Sequence, residues 1–353
     1  CTNASDFNRI CRHFQCQPQS MDHSTSNLYR YRELRYTESM LRVVLIIAVC
    51  VILMTPGGLS AADTSDSPDD PFDIGYSLRV SVSMVQVTAT VRDRMGRTVH
   101  DLSQKDFEIY ENGEKQQIVE FANARGMPKR ILILLHVSGS MRIQNKIGVA
   151  KKGLRTLIGT LHEDDEVGLV FFADGDIEIA SNYTKDRDII LNALGEVHAY
   201  GKTALRNAVR AAPALARVDD PYQRCMLLVT DGIDNASEVT MTEALDAARK
   251  VDLPIYAMGF DPYAGREVRP YEERMQAIES LKTLANHTGG RFTLVGRSVE
   301  MLSGLDQMVR DLENQYLIGF ISKNPYSSRH HQIEVKTKRG YDVRARQGYY
   351  VDD

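Results

Sequence analysis

The chain has 353 residues, enough for two or three domains at roughly 100–200 residues each. Hydrophobic residues make up 43% and charged residues 25%, ordinary globular usage that excludes a disordered or collagen-like chain. Lys plus Arg total 43 against 47 for Asp plus Glu, a net charge of −4, so the basic excess of a nucleic-acid binder is missing.

The first residue is Cys1 rather than Met, and Met40 begins a different kind of sequence. After Leu41-Arg42 come twelve apolar residues without a charge, Val43–Met54, then Pro56-Gly57-Gly58 and the small residues Ser60-Ala61-Ala62. That order reads as an export signal cleaved near Ala62, because twelve residues are short of the ~20 that span a membrane. A retained signal anchor over 40–62 is the alternative. A start at Met40 leaves residues 1–39 outside the mature protein, and the Ser, Asp and Pro of 63–75 read as a linker. Cys1, Cys11, Cys16 and Cys50 precede the cleavage point, which leaves Cys225 as a small buried hydrophobe heading an apolar strand.

Residues 76–122 read as an all-β unit. Leu78, Val80, Val82 and Met84 alternate, then the phase slips and Val85, Val87, Ala89 and Val91 continue, which predicts a bulge or bend. Phe107 to Tyr110, followed by Asn112-Gly113, predicts a hairpin. From Lys129 the periodicity changes. Ile131–Leu135 is a continuous apolar run, as a strand buried on both faces requires. Further strands are predicted at 167–172, 226–230, 254–260 and 291–295, and helices at 146–161, 186–197, 205–216, 242–251, 272–287 and 298–314. This alternation predicts an α/β fold with a doubly wound, mostly parallel sheet over 128–310. Strands return at 316–322, 332–338 and 342–347. Segments 76–122 and 315–351 each hold too few strands for a closed core, so they are expected to pair into one small β-sandwich around the central domain.

In an open α/β sheet, ligands bind beyond the strand C-termini. Three pieces lie there: His136-Val-Ser138-Gly-Ser140, Gly201-Lys202-Thr203, and Asp231-Gly-Ile-Asp234. Together they resemble the von Willebrand factor A domain, over about residues 128–310. The flanks are similar to a bacterial exported family related to that domain, in the hairpin Asp106 to Gly113 and the terminal Gly348-Tyr349-Tyr350. The resemblance implies a metal-ion-dependent adhesion site for Mg²⁺ or Mn²⁺, at which an acidic side chain of a protein partner completes the coordination. It implies Ser138 and Ser140 as direct ligands, Thr203 as a direct or water-mediated ligand, and Asp231 as the holder of a metal-bound water.

His136 departs from that pattern, because it stands where the family has Asp. Three readings follow: a metal-free site, a weak Mg²⁺ site made by the remaining oxygens, or a Zn²⁺ or Mn²⁺ site recruited by the imidazole. A hydrolase using Ser138, His136 and Asp231 is a remote alternative, since no Gly-x-Ser-x-Gly elbow is present. Among other candidates, Asp234 reads as a turn residue and Lys202 as a solvent-pointing lysine beside the site. His330-His331 reads as a solvated edge pair, Glu163–Glu166 as a solvated acidic loop, and Gly175–Asn182 as a loop without a motif. The sequence therefore predicts an exported, non-enzymatic protein-interaction module in the periplasm, envelope or medium, touching membrane only through 40–62. The alternative from another class is an envelope structural or assembly factor that docks without metal.

Overall fold

Two kinds of burial pattern organise the chain in the computed structural model, which describes residues 84–173, 176–216, 222–250, 252–261, 271–325 and 329–351. The predicted signal 40–62 and linker 63–75 lie outside the described residues, as do Leu78, Val80 and Val82 ahead of the predicted phase slip. At the slip itself Met84 and Val85 pair in unbroken register with Ile321 and Phe320, so no bulge interrupts the strand there. Among those described, no helix is long and apolar enough to cross a membrane.

The first pattern is period two. Strand β1 (Met84–Arg92) buries Val85, Val87, Ala89 and Val91, while Met84 and Gln86 face outward. Strands β2 (Phe107–Glu111) and β3 (Glu114–Gln116) form the predicted hairpin, with both Asn112 (φ 49°) and Gly113 (φ 84°) left-handed. Two left-handed central residues give the turn whose twist matches its strands, which is why Asn-Gly sits there. Strand β4 (Ile118–Asn123) follows.

The second pattern is the continuous apolar strand. Strand β5 (Lys129–His136) is buried at every position, and helix α1 (Lys146–Thr160), β6 (Glu166–Ala173) and β7 (Asp176–Thr184) follow it. Next come α2 (Arg187–Glu196), α3 (Leu205–Leu215), β8 (Gln223–Thr230), α4 (Met241–Arg249) and β9 (Ile255–Phe260). Helix α5 (Tyr271–His287), β10 (Phe292–Val295) and α6 (Ser298–Glu313) complete this part. The six strands lie in the order β10-β9-β8-β5-β6-β7, all parallel except the edge strand β7. Ile131, Ile133 and Leu135 pack against α1 and α6 through Leu154, Met301 and Leu305, and Leu132 and Leu134 pack on the other face against Val209, Leu245 and Leu281. Both faces are covered, as a doubly wound sheet requires.

Strand β7 corrects the expectation of a loop at 175–182. Its side chains are mostly polar and none is fully buried, so no apolar alternation marks it. An edge strand needs only one ladder, here antiparallel to β6.

The chain then re-enters the period-two part with β11 (Tyr316–Ile321), β12 (His330–Thr337), β13 (Asp342–Ala345) and β14 (Gly348–Tyr350). Two four-stranded sheets result, β13-β1-β11-β4 and β14-β12-β2-β3, each mixing strands from both ends of the described chain. Their shared core joins Val87, Ala89, Phe107 and Ile109 to Tyr316, Phe320, Ile333 and Tyr349. This is the β-sandwich of the expected fold class.

The sandwich core contains a polar cluster. Glu111 is buried and accepts from the Tyr349 hydroxyl (2.5 Å) and the Ser322 hydroxyl (2.7 Å), with His331 Nδ1 at 3.1 Å. His331 has no exposure at all and stacks on Tyr349, with centroids 4.9 Å apart. The reading of His330-His331 as a solvated pair therefore fails for His331, because the strand alternation turns it inward onto Glu111. The acidic run at 163–166 is also only partly solvated: Asp165 is buried and accepts from the backbone N–H groups of Lys129 (2.7 Å) and His162 (2.9 Å). Cys225 is fully buried and its thiol is pushed well above the ordinary range by burial, with Lys129 opposing weakly.

Candidate functional site

The chain order reverses direction across the sheet between β5 and β8, which makes a crevice at their C-terminal ends. His136 ends β5 and Thr230 ends β8, so the loops that follow both strands open into that crevice. Three loops meet there and are stitched together through their backbones. Tyr200 N–H donates to Val137 O (2.7 Å), and Gly139 N–H donates to Gly201 O (3.0 Å). Thr203 N–H donates to Asn235 Oδ1 (2.9 Å), while Thr203 O accepts from the N–H of Asn235 (3.1 Å) and Ala236 (2.9 Å).

The structure brings His136, Ser138, Ser140 and Thr203 into one hydrogen-bonded chain, with Asp231 beside His136. The Thr203 hydroxyl donates to Ser138 Oγ at 3.0 Å, and Ser138 Oγ lies 3.0 Å from Ser140 Oγ. His136 Nε2 is 2.9 Å from Thr203 Oγ1, whose own proton is committed to Ser138, so Nε2–H is the donor of that contact. On its other side, His136 Nδ1 meets Thr230 Oγ1 at 3.1 Å and Asp231 Oδ1 at 3.4 Å. The shorter contact is the hydrogen bond. The imidazole also stacks on Phe172, with centroids 5.1 Å apart and planes 12° from parallel. Neither ring nitrogen meets Ser138, which is not the arrangement of a serine nucleophile and its base.

Burial is nearly complete. His136, Ser138, Thr203 and Asp231 are buried, whereas Ser140 is half-buried and Tyr200, Gly201 and Lys202 are exposed. Asp234 serves the turn, accepting from the N–H and Nε of Arg206 (2.9 and 3.0 Å) and from the Ser237 hydroxyl (2.8 Å).

The sequence reading missed Lys146. Its ammonium lies 3.1 Å from Asp231 Oδ2, and both side chains are out of solvent. Two consecutive left-handed residues, Gln144 (φ 51°) and Asn145 (φ 56°), turn the chain into α1 with Lys146 as its first residue. Such a conformation costs about 1–2 kcal/mol per non-glycine residue, Asn being the most tolerant. A cation in the first turn also opposes the helix dipole, and no acidic residue of that turn offsets it. Of these, only the lysine at the start of the predicted helix 146–161 was legible in sequence. For Asp231, burial pushes the carboxyl upward, but the neighbouring His136 imidazole and the Lys146 ammonium outweigh it and hold the group well below the usual carboxylate range.

Tested against a divalent cation, this donor set does not fit. Asp231 is the single carboxylate of the cluster, and it is already neutralised by Lys146. A dication added beside that ammonium would leave a buried excess of positive charge, while the three hydroxyls offer no compensating charge. Among the described residues, no group of three or more His, Cys, Asp or Glu is placed to hold a metal.

Residues 131–233, which lie within the central unit, match the family model of the von Willebrand factor type A domain. An uncharacterized protein of Borreliella burgdorferi is 24% identical over 216 residues, which cover 56% of this chain and 63% of that protein. The chain thus spans less than two thirds of the length of the curated relative it matches. Among solved structures, BatB of Bacteroides thetaiotaomicron aligns at 21% identity and a TM-score of 0.43, covering 52% of this chain and 98% of that one. A von Willebrand factor type A protein of Catenulispora acidiphila aligns at 13% identity and TM-score 0.45, over 76% and 74% of the two chains. Proximal thread matrix protein 1 of the mussel byssus, described with a zinc-occupied MIDAS motif, aligns at 16% and 0.43, over 54% and 50%.

Proposed function

We propose that this chain is an exported, non-enzymatic protein-interaction module, and that it recognises a protein partner through the face formed by the loops at 138–142, 200–203 and 231–235. The observation that carries the reading is the convergence of Ser138, Ser140, Thr203 and Asp231 at the β5/β8 crevice, held by cross-loop backbone hydrogen bonds. A rigid polar floor of this kind positions the exposed rim. Tyr200, half exposed beside Lys202, gives that rim an aromatic side chain with a polar tip, a residue type enriched at interfaces. Export rests on the apolar run Val43–Met54 followed by Ala61-Ala62.

The test is site-specific photocrosslinking in the source cell, with a benzophenone side chain at position 200 and a control at Met95, which is 78% exposed on the sandwich. A discrete protein adduct from position 200 alone is expected. Adducts from Met95 alone, or equally from both positions, would place recognition elsewhere.

A further inference from the structure

The Lys146–Asp231 pair reaches beyond an account of why a divalent ion fits poorly. We propose that the Lys146 ammonium is the resident cation of this face, so that the interaction site works independently of divalent ions. The inference rests on the reading of this face as the recognition surface, but its test needs no partner.

Three observations support it. The first is charge balance: with His136 at the end of β5, the cluster holds one carboxylate, and one ammonium on that carboxylate brings the pair to neutrality. The second is connectivity. The Thr203 hydroxyl donates to Ser138, and Ser138 and Ser140 share a second hydroxyl contact at 3.0 Å, so these oxygens satisfy one another while the Asp231 carboxylate is left to the Lys146 ammonium. The third is the backbone. Gln144 and Asn145 take up left-handed conformations immediately before Lys146, at the point where α1 begins. Strained backbone persists where the surroundings hold it in place, and here it delivers an ammonium against its own helix dipole onto a buried carboxylate. His136 and Lys146 thus act as a matched pair: the imidazole removes a negative charge and the lysine supplies the positive one.

The experiment is thermal unfolding of the full chain in EDTA, Mg²⁺ and Mn²⁺, with Mn²⁺ binding followed in parallel by electron paramagnetic resonance. Wild type is expected to show no shift of Tm with either ion and no bound Mn²⁺ at millimolar concentration. The double variant His136→Asp/Lys146→Met restores a second carboxylate and removes the ammonium. It is expected to bind Mn²⁺ and to gain about 5 °C or more at 100 times its Kd. His136→Asp with Lys146 intact should bind at least tenfold more weakly than the double variant. Saturable Mn²⁺ binding by wild type overturns the proposal and needs no variant to fold. Equal Mn²⁺ affinity of His136→Asp with and without Lys146 overturns it too. If the double variant fails to fold, His136→Asp/Lys146→Gln tests the same exchange, and the proposal fails if that variant binds Mn²⁺ no more tightly than His136→Asp.

Discussion

Tyr349→Phe removes one hydroxyl and leaves the aromatic ring in the sandwich core. That hydroxyl donates to Glu111 Oε1 at 2.5 Å, and it is the only group the substitution deletes. Burial raises the phenol well above its ordinary range and the Glu111 carboxylate raises it further, so the phenol stays a proton donor at any working pH. A hydrogen bond to a charged group contributes roughly 1.5–3 kcal/mol. Glu111 keeps Ser322 at 2.7 Å and His331 at 3.1 Å after the change, which argues for about 2 kcal/mol rather than the top of that range. At roughly 2–4 °C per kcal/mol for domains of this size, Tm falls by about 4–8 °C. Urea unfolding at pH 7 should give the same loss with an unchanged m-value, because no surface is newly exposed in the native state. The double variant Glu111→Gln/Tyr349→Phe should lose less than the sum of the single changes, since the two residues share one contact. A loss under about 0.5 kcal/mol for Tyr349→Phe refutes the reasoning and leaves apolar packing alone to close the sandwich.

Two further predictions concern the central domain. The Asp231 carboxyl is held below its unfolded value, so the stability it contributes is fully present above about pH 4 and is lost as the pH falls toward its folded value. Unfolding free energies measured from pH 2 to 6 should therefore fall more steeply with acid for wild type than for Asp231→Asn, and parallel slopes would contradict this. Glycines separate cleanly by space. A Cβ at Gly290 would lie 2.1 Å from the backbone oxygen of Ile255, so Gly290→Ala should cost about 3 kcal/mol or more. A Cβ at Gly159, exposed in α1, meets nothing within 4 Å, and Gly159→Ala should stabilise by about 0.5–1 kcal/mol. Chemical denaturation distinguishes the two signs directly.

The α/β core was legible because its physics is local. A five-residue apolar run such as Ile131–Leu135 has no polar face to expose, which suits a short strand covered on both sides. Asn112-Gly113 was legible for the same reason, since the turn's left-handed backbone selects those residues. His331 was not. Beside His330 and a polar loop it carries no local sign of burial, and its place is fixed by pairing with β2, more than two hundred residues away in sequence. Lys146 was illegible as a partner of Asp231 because the two meet only through the topology of β5 and β8. The residues of the oxygen cluster could be read by their position after buried strands, but the charge that balances them came from a helix start.

The point at which the central domain enters the sandwich bears on where a partner can reach. Strands β4 and β11 are antiparallel neighbours, with Asn123 opposite Tyr316, and the next step is closed by the Ala124 N–H on Gln315 O at 2.9 Å. Chain exit and return are thus adjacent rungs of one ladder, so the whole α/β unit occupies the position of a hairpin loop. Insertion there leaves the sandwich register intact. The contact that follows is polar and lies at the strand N-terminal side. Thr88 of β1 donates to Asp252, just before β9, at 2.7 Å, and Asp311 at the end of α6 pairs with both Arg92 and Arg291. From Lys129, where β5 begins, to His136, where the crevice opens, the strand rises about 23 Å at 3.3 Å per residue. The sandwich therefore grips one end of the parallel sheet and presents the other, and a partner approaching Tyr200 and Ser140 meets the pole of the domain opposite its anchorage.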